Sequence, residues 1–224
     1  MKNYDTLINE LIKNQDEKYA AFCDGLSGTE VKFIGVRMPI LRKIAKEYQN
    51  LDMKTFKVNY TYELMFLFFY INLAQIKDIH QQINFIIANE KFFLGWSVVD
   101  SLGDMFTYPA KFSDLKEDLT KLFKEENQYC RRLAYHLMIY YSKDKSVLNE
   151  ILGYIHNDDA YYVQMMESWL LSILYILYPD EIFMFIKNAK IDRIIINKAI
   201  SKIHDSYRVS DENKNKIKML RISK

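Results

Sequence analysis

Turn-forming residues are scarce in this chain, and that scarcity limits its possible folds more than any other feature. The 224 residues include six glycines and three prolines. A β-rich protein of this length needs many more of them at its turns. Apolar residues instead recur at intervals of three and four, as in Leu148, Ile151, Leu152 and Ile155. This is the period of an amphipathic helix, so the sequence predicts an all-α protein.

The periodic segments predict helices at about 4–14, 16–24, 39–48, 52–58, 61–76, 79–89, 94–105, 111–123, 127–142, 146–156, 160–177, 179–188, 191–204 and 210–218. The connections are short, so neighbouring helices are expected to pack antiparallel. Helix pairs recur at roughly 30–40 residues, the length of a two-helix repeat unit. No linker interrupts the chain, and we therefore expect a single helical-repeat domain over residues 1–224. A compact irregular bundle is the structural alternative.

Several classes of protein are disfavoured by the composition. Cys23 and Cys130 are too few for a disulfide framework or a zinc site, and the four histidines have no metal-ligand spacing. Glycine-rich nucleotide-binding patterns are also absent from the sequence. We therefore expect neither a metal nor a cofactor. No apolar stretch has the length of a signal peptide or a membrane span, which predicts a cytoplasmic protein without membrane association.

Charge is distributed unevenly along the chain. The net charge is +2, yet residues 187–224 hold eleven Lys and Arg against four Asp and Glu. The remaining residues, 1–186, are therefore net acidic. A basic C-terminal end can attract phosphate backbones or acidic partners. The alternative is that these charges only solvate the last helices.

The two tryptophans are the strongest candidates for a functional site. Trp96 lies four residues before Asp100, so on one helix the two side chains share a face. Trp169 lies in a very apolar segment, and the adjacent Arg131 and Arg132 lie between the two indoles in sequence. An indole usually fills a core. Beside a carboxylate and guanidinium groups, it can instead face a cationic or sugar-phosphate ligand. A compact domain with both indoles in its core remains an alternative.

Five segments together resemble the DNA alkylation repair glycosylases of the AlkD type. They follow one another in the family's order from about residue 16 to 210, and they read FIGVRMPILRKIAKEY, GWSVVDSLGD, YCRRLAYH, VQMMESWLL and NKAISKIHDSYRVS. The resemblance implies right-handed-stacked helical hairpins that form a HEAT-like (ARM-type) superhelix with a concave groove for duplex DNA. It further implies hydrolysis of the N-glycosidic bond of cationic N3- and N7-alkylpurines without base flipping. We expect such a protein to act as a monomer.

The resemblance also implies roles for particular residues. Trp96, Asp100 and Trp169 would face the deoxyribose of the lesion, and Arg132 or its neighbour Arg131 would contact the DNA backbone. Loss of a cationic base leaves positive charge on the sugar, and a carboxylate stabilises such an oxocarbenium-like transition state. The base is already a good leaving group, so a general acid is not required.

A second basic cluster surrounds Pro39. Arg37, Arg42 and Lys43 are candidates for phosphate contacts at the start of a helix. Their alternative role is simple solubility.

The segment before Trp169 departs from the family pattern. Met165 stands where the family has a basic residue, and Glu167 lies just before the indole. This predicts a loss of positive charge and a gain of negative charge near the groove. The departure favours an alternative function, a catalytically inactive HEAT-like repeat protein that binds nucleic acid or a protein partner on its concave face.

Overall fold

The structure is a computed structural model that describes residues 2–27, 31–53 and 61–222. Across these ranges no strand forms, and an isolated bridge joins Lys32 to Thr61. The α-helices are α1 Tyr4–Lys13, α2 Glu17–Ser27, α3 Met38–Glu47, α4 Tyr62–Gln75, α5 Ile79–Ala88, α6 Trp96–Ser101, α7 Lys116–Phe123, α8 Gln128–Tyr140, α9 Leu148–Gly153, α10 Tyr161–Leu177, α11 Pro179–Asn188, α12 Arg193–Asp205 and α13 Asp211–Lys218. The prediction of an all-α protein is confirmed.

The observed helices differ from the predicted ones in a few places. The helix predicted over 94–105 is a short α6 followed by a 3-10 turn at Gly103–Met105. Gly95, with φ +119°, precedes α6, so the backbone bends sharply just before the helix begins. A 3-10 turn, Phe112–Leu115, likewise replaces the start of the helix predicted over 111–123. The helix predicted over 52–58 falls almost entirely outside the described residues.

The chain forms two compact units, Met1–Cys130 (unit 1) and Arg131–Lys224 (unit 2). The single domain predicted over residues 1–224 stays a prediction, as does the handedness of the superhelix. In the part of the chain that the structure describes, no helix has the length and apolarity that a bilayer span requires.

Helix α4 forms the centre of unit 1. Its sequence is apolar over most of the helix circumference, and its residues from Tyr62 to Ile71 are all buried. Phe69 packs edge-on against Phe93, with ring centroids 4.9 Å apart. Because α4 also packs against α3, α5 and α6, it fixes the positions of the short elements around it.

Helix α10 has the corresponding role in unit 2. It packs against α11 and, along most of its length, against α12. The hydroxyl of Ser168 donates to the carbonyl of Ile195 at 3.1 Å, so the two helices are in close contact. The face of α10 that carries Trp169 is only partly covered, and this leaves the indole half-buried.

Candidate functional site

A cavity of about 330 Å³ opens in unit 1, and its walls are largely aromatic. The rings that line it belong to Tyr19, Phe22, Phe33, Tyr62 and Trp96. Aromatic faces carry negative electrostatic potential, so they attract cations and pack well on flat rings and on sugar C–H edges. The cavity is therefore suited to a ligand that combines a flat or apolar surface with positive charge.

One wall of the cavity is a face of α2. Tyr19, Phe22, Cys23 and Leu26 follow one another at intervals of three, one and three residues, which places them on one side of a helix. Phe22 is 62% exposed and Leu26 is 57% exposed. These two large apolar side chains form an open rim, so a ligand can reach the cavity from solvent.

The floor of the cavity depends on a buried carboxylate. Phe33 and Tyr62 stack with ring centroids 4.4 Å apart. The loop after Phe33 is held by Glu63, which is completely buried and accepts the backbone N–H groups of Ile34, Gly35 and Val36 at 2.9, 2.7 and 3.1 Å. Burial raises the pKa of Glu63, and the backbone hydrogen bonds oppose that rise.

The opposite wall is α6, which carries Trp96 and Asp100 one turn apart. Both side chains are half-buried and both line the cavity, so the shared face predicted from their spacing is confirmed. The indole N–H of Trp96 donates to the carbonyl of Leu26 at 3.3 Å, which links α6 to the end of α2. Ser97 and Ser101 add hydroxyl groups to the same wall. The arrangement places a carboxylate beside several aromatic faces at a solvent-accessible cavity.

Two arginines of the predicted phosphate cluster contact residues of the cavity wall. Arg37 lies over the Tyr19 ring, 4.4 Å from its centroid, and also pairs with Asp16 at 3.0 Å. Arg42 donates to the carboxylate of Asp104 at 2.6 Å and to the carbonyl of Ser101 at 2.9 Å. The hydrogen bond that Arg42 donates to Asp104 raises the pKa of Arg42, so the guanidinium stays protonated.

The third member of that cluster, Lys43, is exposed on α3. The predicted phosphate contacts of all three residues stay predictions. Arg37 and Arg42 each contact a residue that lines the cavity, Tyr19 and Ser101 respectively.

The arginine pair of unit 2 is bound to protein groups. Arg131 forms a two-pronged contact with Asp158, at 2.7 and 3.2 Å, and its side chain is 15% exposed. Arg132 is 5% exposed and donates to the carbonyl of Tyr162 at 2.6 Å. The DNA contact predicted for this pair stays a prediction. For Arg131 these contacts form a structural ion pair with Asp158.

Trp169 lines a second, smaller cavity in unit 2, and its ring lies edge-on to His136. Trp96 and Trp169 are both half-buried and both border cavities. The alternative in which both indoles belong to a closed core is therefore wrong. A catalytic role for Trp169 stays a prediction.

The Glu167 side chain, from which a negative charge near the groove was expected, does not lie at the surface. The side chain is completely buried, where it accepts the hydroxyl of Tyr135 at 2.8 Å and the backbone N–H of His156 at 3.0 Å. Burial raises the pKa of Glu167 to about 8, despite those hydrogen bonds. The prediction that this residue adds negative charge near a groove is therefore wrong, because tertiary packing buries it.

Sequence reasoning did not identify the aromatic residues that complete the unit 1 cavity. No local pattern in the sequence distinguishes Tyr19, Phe33 and Tyr62 from core residues, because a cavity wall and a core have the same apolar periodicity. Among the residues that the structure describes, no group of three or more His, Cys, Asp or Glu side chains is arranged to hold a metal ion.

Comparisons with known proteins connect this geometry to a family. The family model described as DNA alkylation repair enzyme matches residues 7–203. Among solved structures, the chain is similar to "Predicted DNA alkylation repair enzyme from Enterococcus faecalis", with a TM-score of 0.63 and 14% identity over 86% of this chain and 98% of that one. At this identity the likeness shows a shared fold. Curated proteins give no match. Because the family model covers most of the sequence, the chain belongs to the family of DNA alkylation repair enzymes.

Proposed function

We propose that this protein is a DNA glycosylase that hydrolyses the N-glycosidic bond of cationic N3- and N7-alkylpurines in duplex DNA, without base flipping and without a cofactor. One observation carries the proposal: in a chain of this family, Trp96 and Asp100 line the same aromatic cavity. A carboxylate among aromatic faces matches the charge that develops when a cationic base leaves a sugar.

The proposed reaction begins with rupture of the bond between the sugar C1′ and the purine nitrogen. The bonding electron pair leaves with the base, which cancels the positive charge that alkylation had placed on it. The deoxyribose then takes the positive charge, and the Asp100 carboxylate stabilises it. Water adds to C1′ and loses a proton to Asp100 or to solvent. The products are the intact alkylated base and an abasic site.

The aromatic side chains support this step in two ways. Trp96, held by its hydrogen bond to the Leu26 carbonyl, lines the same cavity as Asp100. Aromatic faces near a cationic sugar lower its energy by about 1 kcal/mol or more when water is excluded. Phe22 and Leu26 at the exposed rim would pack on the nucleotide and help to exclude that water.

Arg37, Arg42 and Lys43 are proposed to hold the DNA backbone next to this cavity. Arg37 and Arg42 pair with Asp16 and Asp104, and the side chains of both carboxylates are partly or largely exposed. Exposed ion pairs contribute little free energy, so a phosphate can replace the carboxylate partner. Phosphate contacts of this kind position a duplex without reading its sequence.

The direct test is the chemical identity of the product. Duplexes that carry N7-methylguanine or N3-methyladenine are incubated with the protein, and released bases and abasic sites are both quantified. The proposal predicts intact alkylated base and abasic sites in equal amounts. Recovery of an unmodified purine in the duplex would instead indicate dealkylation.

Absence of release from both substrates would contradict the proposal. It would favour the alternative function, a helical-repeat protein that binds nucleic acid or a protein partner without catalysis. Binding of the same duplexes without release would identify nucleic acid as that partner.

A further inference from the structure

The second cavity lies in unit 2, between α10 and the end of α12, and has a volume of about 230 Å³. Its α10 wall consists of Trp169, Ser172, Ile173 and Ile176, which follow the spacing of one helix face. The indole and the two isoleucines give this wall an apolar surface of the kind that packs on sugar C–H groups.

The opposite wall carries positive charge. Lys202 lies in the last turn of α12, and Arg208 lies in the turn that follows it. Asp205 is the carboxylate on this wall, so the lining groups sum to one net positive charge. Ser206 completes the wall with a hydroxyl group, which accepts the backbone N–H of Arg208 at 3.2 Å.

An exposed aromatic ring stands at the same turn. Tyr207 lies between two cavity-lining residues and is fully exposed to solvent. A tyrosine without any burial is unusual, since its ring is largely apolar. An aromatic ring beside cationic groups can pack on the sugars of a nucleic-acid strand.

Two other cations of the basic segment 187–224 contact protein groups outside this cavity. Lys216 pairs with Asp180 at 2.5 Å, and Arg221 donates to the hydroxyl of Ser201 at 2.8 Å. Lys202 and Arg208 are the cations that share a cavity with Trp169.

We propose that Lys202 and Arg208 bind the two DNA phosphates that flank a deoxyribose packed on Trp169. This inference rests on the proposed function, because it takes duplex DNA as the ligand. Each phosphodiester group brings one negative charge, so each of the two cations can pair with one phosphate. The C-terminal end of α12 carries partial negative charge, so an anion can be held there only by side-chain cations. The basic segment thus contributes a defined phosphate site rather than general solubility.

The test compares two charge-matched double variants of the full chain. Lys202→Gln with Arg208→Gln removes both proposed contacts. Lys187→Gln with Lys218→Gln removes the same charge from two exposed positions that do not line the cavity. Affinity for an undamaged duplex is measured by fluorescence anisotropy over a range of salt concentrations, with circular dichroism to verify folding.

The cavity variant is expected to bind at least tenfold more weakly at low salt. The slope of log affinity against log salt concentration should also become shallower by about 2. Each lost phosphate contact reduces by nearly one the number of counterions that DNA releases when the protein binds. The control variant should bind within about threefold of the wild type. Equal weakening of both variants would overturn the inference, as would a wild type that does not bind duplex DNA.

Failure of this inference is distinguishable from failure of the proposed function. A cavity variant that binds like the wild type, in a protein that still releases alkylated bases, overturns only the phosphate site. A wild type that releases no base, but whose binding depends on Lys202 and Arg208, retains the phosphate site and loses the glycosylase.

Discussion

Gly35 shows how much of the unit 1 cavity depends on single residues. Its φ angle is +94°, a conformation that residues with a side chain rarely adopt. A Cβ atom at this position would lie 2.1 Å from the carbonyl oxygen of Asp16. The N–H of Gly35 also donates to the buried Glu63. The turn that brings Phe33 to the cavity floor therefore requires a glycine.

We predict that Gly35→Ala lowers the free energy of unfolding by about 2 kcal/mol or more, from backbone strain together with the clash against Asp16. Gly25→Ala is the matched control, since Gly25 lies in α2 and a Cβ there meets nothing within 4 Å. The free energy of unfolding of that control should rise by up to about 1 kcal/mol, because alanine favours the helix more than glycine does. Urea unfolding of both variants provides the measurement. Equal stability of the two would contradict the assigned turn.

For single residues, the sequence predicted the positions of some side chains and not of others. The four-residue spacing of Trp96 and Asp100 was sufficient to place them on one helix face. Glu63 and Glu167 could not be predicted as buried, because charged residues normally lie outside and the partners of both are distant in sequence. The partners of Glu63 come from a loop about 28 residues earlier, and no local pattern encodes that contact.

Among the helices, periodicity predicted the long elements well and the short ones poorly. Helices α4 and α10 have strong apolar patterns and appear close to their predicted bounds. Helix α6 is shorter than predicted, because a 3-10 turn at Gly103–Met105 follows it. The cavity walls come from α2 and α6, whose contacting residues Leu26 and Trp96 are 70 positions apart. Only the tertiary fold brings them together.

Hydrogen bonds to Glu167 connect α10 to α8 and to the chain before α10. The protonation state of Glu167 should therefore affect the stability of unit 2. Oε1 has two hydrogen-bond donors, while Oε2 is buried and has no hydrogen-bond partner among the described residues. The titratable groups around it include Tyr135, His156, Asp158 and Asp192. An ionised carboxylate is costly in such a place, which favours the protonated form.

The pH dependence follows from the raised pKa. Burial raises the pKa of Glu167 from the ordinary 4.5 to about 8, so between these values the folded protein holds a proton that the unfolded chain has released. The stabilisation that this bound proton gives the folded protein is complete below pH 4.5 and is lost as the pH rises towards 8. We predict that the free energy of unfolding of Glu167→Gln lies within about 1 kcal/mol of the wild-type value near pH 5. At pH 9 it should be higher than the wild-type value by about 2 kcal/mol or more.

The control for this prediction is Glu212→Gln, at an exposed position in the first turn of α13. Its unfolding free energy should run parallel to that of the wild type between pH 5 and 9, with a constant difference of up to about 1 kcal/mol from the lost charge at the helix N-terminus. Parallel pH profiles for Glu167→Gln and the wild type would mean that Glu167 does not titrate between pH 5 and 9 in the folded protein.

For the whole molecule, the scarcity of glycine and proline predicted the fold class, and the ordered motifs predicted the family. The family model covers residues 7–203, and the fold is shared with a protein that is 14% identical in sequence. Composition could not show which charged side chains pair within the protein and which line a cavity. In unit 2 the Arg131–Asp158 pair is an internal contact, whereas Lys202 and Arg208 line a cavity. That distinction depends on tertiary structure.

The measurement that tests the central claim most directly is the single-turnover rate of base release from duplex DNA with N7-methylguanine. Wild type is compared with Asp100→Asn and with Asp114→Asn, whose exposed carboxylate bonds to Ser113 in unit 1 outside the cavity. Both variants lose one negative charge. We predict a rate lower by a factor of about 10²–10³ for Asp100→Asn, because it removes the charge that stabilises the sugar cation. Asp114→Asn should release base at the wild-type rate. An Asp100→Asn protein that is as fast as the wild type would contradict the proposed mechanism.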